Sequence, residues 1–447
     1  MSQEPRKNPE KTTSQEAKPT RPTPPTFLDS TWTWSSPSTW PLTIKLLPVF
    51  IAIISIYLAV AFPALFGDPV SRFLADTSCT GAFNYTFQIA AAKRHAEELA
   101  THDWEIGTAG EALLELLSPH KAVFGRVPFP RGKVPYDFVK MDEALTFVFE
   151  KVRVWDGPTI VEDSYSVSDP ASLGVSAVMI GQVWKGWLRA AEAQKEYLLK
   201  DAPRYGNGAI SHRVEVAELW SDAVHMVPPF LAYYGVATND LECVREAVRQ
   251  VELYREVLML RDGERKELWR HIVGPSEMAD DGAWSTGNGW AAYGMARVRA
   301  TIAGWEKSKE MMEKEIAALD SYMIEIIDGA IRTDDHESGL LRNYLGDSTW
   351  FGETAGTALL AAAAYRLGMF MEQNAGRDHI LQWADEKRRA VVRHVNDDGV
   401  ARPAVHSLKH DQRQPFEGIN PEGESFLLLM GAAWRDCVCA GVRSREG

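Results

Sequence analysis

Asp222 lies in "HRVEVAELWSDAVHMVPPFLAYYG", residues 212–235, two places after Trp220 and ahead of Met226, Phe230 and Leu231. A carboxyl held among aromatic and aliphatic groups has its pKa raised by desolvation, as a proton donor near neutral pH requires. The competing reading is an N-cap, in which Ser221 and Asp222 take up the free N–H groups of a helix start. Asp163 and Asp169, in "DSYSVSDPASLGVSAVMIG", pose the same choice. Asp-Pro is a common helix start, with proline at the first helical position. His271 in "LWRHIVGP" stands between apolar residues, either as a hydrogen-bonded core imidazole or as a site group. His212 and Arg213 are adjacent and suit an anion or a solvated turn. Glu353 and Thr354, in "STWFGETAGTALL", are explained as helix caps.

A second kind of signal is "WSTGNGW", residues 284–290, where Trp284 and Trp290 flank Gly287, Asn288 and Gly289. The Gly-Asn-Gly run reads as a turn that starts a helix. The two tryptophans exceed what a turn needs, and they read as one wall of a sugar site, where an aromatic ring packs on the apolar face of a pyranose. The chain carries 15 Trp, residues that must be buried or used for stacking. No metal-ligand spacing, phosphate loop, dinucleotide fingerprint or Gly-x-Ser-x-Gly elbow is present, so no metal or cofactor is implied.

The elements that must position these groups are helical. From about residue 78 apolar residues recur at three and four, the period of a buried helix face. Runs such as "TALLAAAAYRLG" and "WAAYGMARV" are apolar on every side and read as inner helices. "ECVREAVRQVELYREV" and "MMEKEIAALDSYM" carry charge on one face and read as outer ones. "ASLGVSAVMIGQVWKGWLRAAEAQKEYLL" reads as a single helical run. No alternating strand series or Pro-rich linker interrupts the pattern. Inner and outer helices in alternation predict an all-α toroid of helical hairpins over 78–445. The distinctive motifs precede inner helices, which gathers them at one mouth of the ring.

The remaining sequence bounds location and partners. A net charge of −13 argues against nucleic acid, yet a few local Arg or His residues suffice to hold an acidic sugar. Residues 1–41 are rich in Pro, Ser, Thr, Lys and Glu and read as a disordered tail. Leu46 to Phe66 follows without a charge, and about 20 apolar residues span a bilayer. Residues 42–67 therefore read as a transmembrane signal-anchor, with a signal peptide cut after "AVA" at 59–61 as the rival. Lys45, Arg6, Lys7, Lys11, Lys18 and Arg21 favour a cytoplasmic N-terminus. The globular part then lies in the secretory lumen or outside the cell, held to the lipid bilayer by one helix. Asn84 in "NYT" is a glycosylation sequon on that side, though such tripeptides also arise by chance. Cys79, Cys243, Cys437 and Cys439 fit no zinc spacing; one or two disulfides or buried free thiols satisfy the count. Oligomeric state is not legible.

"HR…ELWSDAVHMVPPFLAYYG", "WSTGNGWAAYGMARV" and "FGETAGTALLAAAAYRLG", in this order and spacing, resemble glycoside hydrolase families 105 and 88, closest to their fungal branch. The resemblance covers roughly 150–435 and implies an (α/α)6 barrel. It also implies an unusual hydrolysis: the substrate's terminal uronic acid carries a C4=C5 double bond. An aspartate protonates C4, and water deprotonated by that same residue adds at C5. The hemiketal then opens and releases the saccharide, here from pectin-derived oligosaccharides. Carried over, the acid and base is Asp222, and the second aspartate is Asp169, with Asp163 as the alternative. His212, Arg213, Met226, His271, Trp284, Thr286, Asn288 and Trp290 fall on substrate-binding positions.

One position departs from the pattern. The families usually place Arg, facing the substrate carboxylate, where this chain has Thr286. Losing a charge-assisted contact costs about 1.5–3 kcal/mol. Either Arg213 substitutes or the substrate lacks that carboxylate. Two other readings stand beside the unsaturated uronyl hydrolase: a conventional glycosidase with a second carboxylate at catalytic spacing, and a membrane-anchored, non-catalytic sugar-binding or biosynthetic accessory protein.

Overall fold

The computed structural model describes residues 79, 83–136, 141–162 and 164–444. The tail 1–41, the apolar segment 42–67 and Asp163 lie outside the described residues. Among the described residues no helix is long and apolar enough to cross a membrane.

The predicted alternation is present. Outer helices α1 (Ile89–Leu99), α3 (Glu143–Lys151), α5 (Lys185–Glu196), α7 (Leu241–Leu258), α9 (Glu313–Arg332) and α11 (Ala375–Arg393) each bury one stripe. Each is followed by an inner helix: α2 (Asp103–Leu117), α4 (Gly174–Gly181), α6 (Ala223–Thr238), α8 (Ser285–Gly304), α10 (Thr354–Phe370) and α12 (Pro421–Cys439). Successive inner helices pack side by side from α2 round to α12, and α12 returns to α1 and α2, closing a six-hairpin ring. A disulfide, Cys79–Cys439, ties the end of α12 to the segment ahead of α1, while Cys243 and Cys437 are buried free thiols.

Inner helices meet closely because their facing residues are small or locally irregular. Pro228 and Pro229 inside α6 lack an N–H, which frees the carbonyls of Val224 and His225. Arg297 of α8 donates to the His225 carbonyl at 3.3 Å. A Cβ on Gly294 would stand 2.3 Å from the Val224 carbonyl, so only glycine admits α6 there. Arg297 also pairs with Glu111 of α2 at 2.7 Å, and Arg366 of α10 pairs with Glu115 of α2 at 2.6 Å. These buried, doubly charged contacts bind non-adjacent inner helices, and removing one partner leaves a bare charge in the ring.

Two expectations are corrected. The single helix expected from Ala171 onward is broken after Gly181 into α4 and α5, because the backbone of Leu188 folds to within 2.7 Å of where a Gly181 Cβ would stand. Gly287, Asn288 and Gly289 do not form a turn; they lie inside the first turns of α8, whose N-cap is Trp284. Two-residue ribbons pin the connecting loops: β1 (Leu219–Trp220) with β2 (Ile272–Val273), and β3 (Leu341–Arg342) with β4 (Gly352–Glu353), both antiparallel.

Candidate active site

The β1–β2 ribbon brings Asp222 and His271 together. Trp220 pairs with Ile272, and the Ser221 amide donates to the His271 carbonyl at 2.9 Å. Asn288 holds the same loop from below, accepting from the Trp269 amide at 2.8 Å and donating to its carbonyl at 3.0 Å. Asp222 then begins α6 with its side chain making no capping bond. Its Oδ2 accepts from Ser221 Oγ at 3.2 Å and lies 3.5 Å from His271 Nε2. The carboxyl is 15% exposed, buried enough to be desolvated and open enough to be reached. Burial raises its pKa, against the opposing pull of His271.

Asp169 stands opposite. Its pKa is raised to about 8, first by burial and then by the neighbouring charges of Asp103 and Asp222. Ser168 holds the N-cap position of this short turn, and its Oγ reaches both Asp169, at 3.5 Å, and His212 Nδ1, at 2.6 Å. His212 stacks on Trp220, with centroids 4.5 Å apart and planes 20° apart. Burial, then the charges of Arg213 and His271, lowers the His212 pKa to about 3, so the ring is neutral near pH 7. Arg213 pairs with Glu215 at 3.5 Å, and its buried Nε has no hydrogen-bond partner. Glu353 keeps its expected cap role, accepting from Ala355 N and Gly356 N and from Ser285 Oγ.

Other expected site residues are placed in the core. Trp290 is fully buried between His225 and Phe426. It lies six residues along α8 from Trp284, about 9 Å down the helix from the mouth at 1.5 Å per residue. It is not a sugar-facing wall. Asn288 is fully buried and spends its amide on Trp269 and Trp284. Met226 is 2% exposed, and Thr286 is closed off, its hydroxyl without a partner. Trp284 is buried too, its N–H on Asn343 and its ring against His271 and His410.

The sequence reading missed several groups here. Asp280 Oδ2 lies 3.0 Å from His271 Nδ1 and accepts from the Tyr344 hydroxyl. With Tyr344, Trp350, His410 and Arg413 it lines a cavity of about 610 Å³. Arg413 lies 4.0 Å over the Trp350 ring, and Trp350 stacks on Tyr344 at 4.6 Å. Trp104, half-buried at the start of α2, donates to Glu422 at 3.1 Å. Asp280 precedes "WSTGNGW" within one short loop, a visible signal. His410 and Arg413 come from a loop that has no helical period to mark it.

Six helical hairpins closed into a ring, with carboxyls, imidazoles and indoles at one mouth, define the six-hairpin class of glycosidase. The comparisons agree. The Glycosyl Hydrolase Family 88 model matches residues 185–431, more than half of the 447-residue chain, so the chain belongs to that glycoside hydrolase family. It is 26% identical over 260 residues to the unsaturated rhamnogalacturonyl hydrolase YesR of Bacillus subtilis, covering 54% of this chain and 69% of that one. The fold is similar to that of a possible GH105 member from Salmonella enterica, with TM-score 0.59 at 17% identity over 78% of this chain and 94% of the other. A family 88 hydrolase from Bacteroides vulgatus gives TM-score 0.55 at 13% identity, over 78% and 97%.

Proposed function

We propose that the chain removes an unsaturated uronic acid from pectin-derived oligosaccharides by hydrating the C4=C5 vinyl ether, with Asp222 as acid and then base. One observation carries this reading: Asp222 occupies a helix start without capping it, is desolvated, and remains reachable at the mouth. A carboxyl in that setting holds its proton until a substrate carbon takes it. The carboxylate so formed then draws a proton from water as oxygen adds at C5. Asp169, protonated near neutral pH, donates a hydrogen bond to the sugar. Trp220 and Trp104 supply ring faces, and Arg213 takes the substrate carboxylate that Thr286 cannot reach. The cavity under Trp350 and Arg413 receives the leaving saccharide. The rhamnogalacturonyl activity of the Bacillus relative supports this substrate class.

The segment 42–67 anchors the chain in a membrane with the barrel in the secretory lumen or outside the cell. The disulfide suits an oxidising compartment, and Asn84 is exposed for a glycan. Turnover of unsaturated disaccharides, followed by loss of ultraviolet absorbance from the double bond, tests the function against matched saturated disaccharides. Cleavage of the saturated sugar at a comparable rate favours a conventional glycosidase. Binding of either sugar without turnover favours an accessory protein.

A further inference from the structure

His271 lies between two carboxyls. Its Nδ1 is 3.0 Å from Asp280 Oδ2 and its Nε2 is 3.5 Å from Asp222 Oδ2. The ring is 1% exposed, and Nε2 has no hydrogen-bond partner. A buried imidazole nitrogen left bare and aimed at a carboxyl is unusual, since buried polar atoms are normally paired. Asp280 is the opposite case. Its Oδ1 accepts from the Gly282 amide at 2.9 Å, and its Oδ2 accepts from the Tyr344 hydroxyl and faces His271. The Gly282 amide and the Tyr344 hydroxyl both donate to it, one on each oxygen, so it stays a carboxylate and can only accept. The donor across its short contact with His271 is therefore Nδ1–H.

We infer that Asp280 is a positioning residue that fixes the His271 proton on Nδ1, so that Nε2 turns a lone pair toward Asp222. The inference rests on the reading of Asp222 as the acid. With this tautomer, Nε2 accepts from the Asp222 O–H and keeps the acid protonated and aimed until the sugar arrives. With the other tautomer, Nε2–H donates to Asp222 and stabilises the carboxylate, which has no proton to give. The imidazole carries one proton in each arrangement; the two differ by the proton on Asp222, which the second arrangement gives up to water. The same logic orients the imidazole of a serine-protease triad.

The surrounding groups do not supply an alternative anchor. His410 approaches Asp280 through Nε2 at 3.8 Å, with its ring edge-on to His271 at 4.3 Å. Burial first, then any positive charge on His271, lowers its pKa to about 4, and Asp280 and Asp411 oppose this. His212, Trp220 and Trp284 meet His271 by ring face or charge alone. Arg270 is paired with Asp281 at 3.0 Å.

The variant Asp280→Asn is informative because Gly282 decides its orientation. The amide of Gly282 requires an oxygen at the Oδ1 position, so the new NH2 stands at Oδ2 and donates to His271 Nδ1. That reverses the tautomer. The protein labelled with 15N-histidine is read by NMR without substrate, the His271 resonances being identified by their loss in His271→Gln. The expected wild-type signal is a protonated Nδ1 and a bare Nε2, exchanged in Asp280→Asn. In the variant kcat falls at least about tenfold, KM stays within about threefold, and the alkaline limb of the pH profile moves to lower pH. Tyr344→Phe, which leaves the carboxylate in place, keeps the wild-type tautomer. A wild-type His271 protonated on Nε2 overturns the inference even if Asp280→Asn fails to fold. An Asp280→Asn protein with the wild-type tautomer and an unmoved alkaline limb also overturns it. The wild-type tautomer as inferred, in a protein that leaves every unsaturated disaccharide intact, sinks the proposed function and leaves the positioning role standing.

Discussion

A Cβ added to Gly287 would stand 2.3 Å from Ser221 Oγ, the hydroxyl that donates to Asp222 at 3.2 Å. The first turn of α8 thus leaves room beside the acid's own support for glycine only. Gly287→Ala must push Ser221 aside, at about 1–3 kcal/mol of overpacking. The expected outcome is a lower melting temperature together with a fall in kcat larger than the change in KM. Steady-state kinetics and calorimetry on one preparation read both.

Among the described residues Arg213 reaches no carboxylate nearer than Glu215 at 3.5 Å, and its Nε is buried without a partner. Arg213→Met removes the charge and keeps the stem. Affinity for a uronic acid should fall about ten- to a hundredfold, from the 1.5–3 kcal/mol of a charge-assisted bond. Measured KM should rise by that factor while kcat changes little, and the methyl ester of the same substrate should lose nothing.

Asp169 carries a pKa of about 8 in the folded chain against an ordinary value of 3.8. Below about pH 4 both states hold this proton; between there and about 8 only the folded state does, so stability drains away as pH rises. Asp169→Asn removes that dependence. Melting curves at about pH 5 and about pH 8 should show the variant gaining on the wild type at the higher pH. A gap that is constant with pH contradicts the raised value.

The ring was legible because inner and outer helices differ in composition: α10 is apolar all round, while α7 shows charge on one face. The break between α4 and α5 was not legible, since Gly181 sits in an unbroken apolar period and only the approach of Leu188 reveals why the chain turns. Asp222 is singled out in the sequence by its apolar neighbours, although its freedom from capping duty needed the geometry. Trp290 was misplaced because sequence shows that two indoles flank a motif but not that one lies two turns deeper. Asp280 and Tyr344 escaped notice because they meet through space, 64 residues apart.

On the proposed reading Asp222 delivers a proton to C4 of an unsaturated uronic acid. The most direct measurement is turnover of an unsaturated disaccharide in D2O by wild type and Asp222→Asn, with the product read by NMR. The expected result is a single deuterium at C4 in the wild-type product and a rate lower by about 10²–10⁴ in a folded Asp222→Asn protein. Wild-type product without deuterium at C4, or a variant that turns over at the wild-type rate, would contradict it.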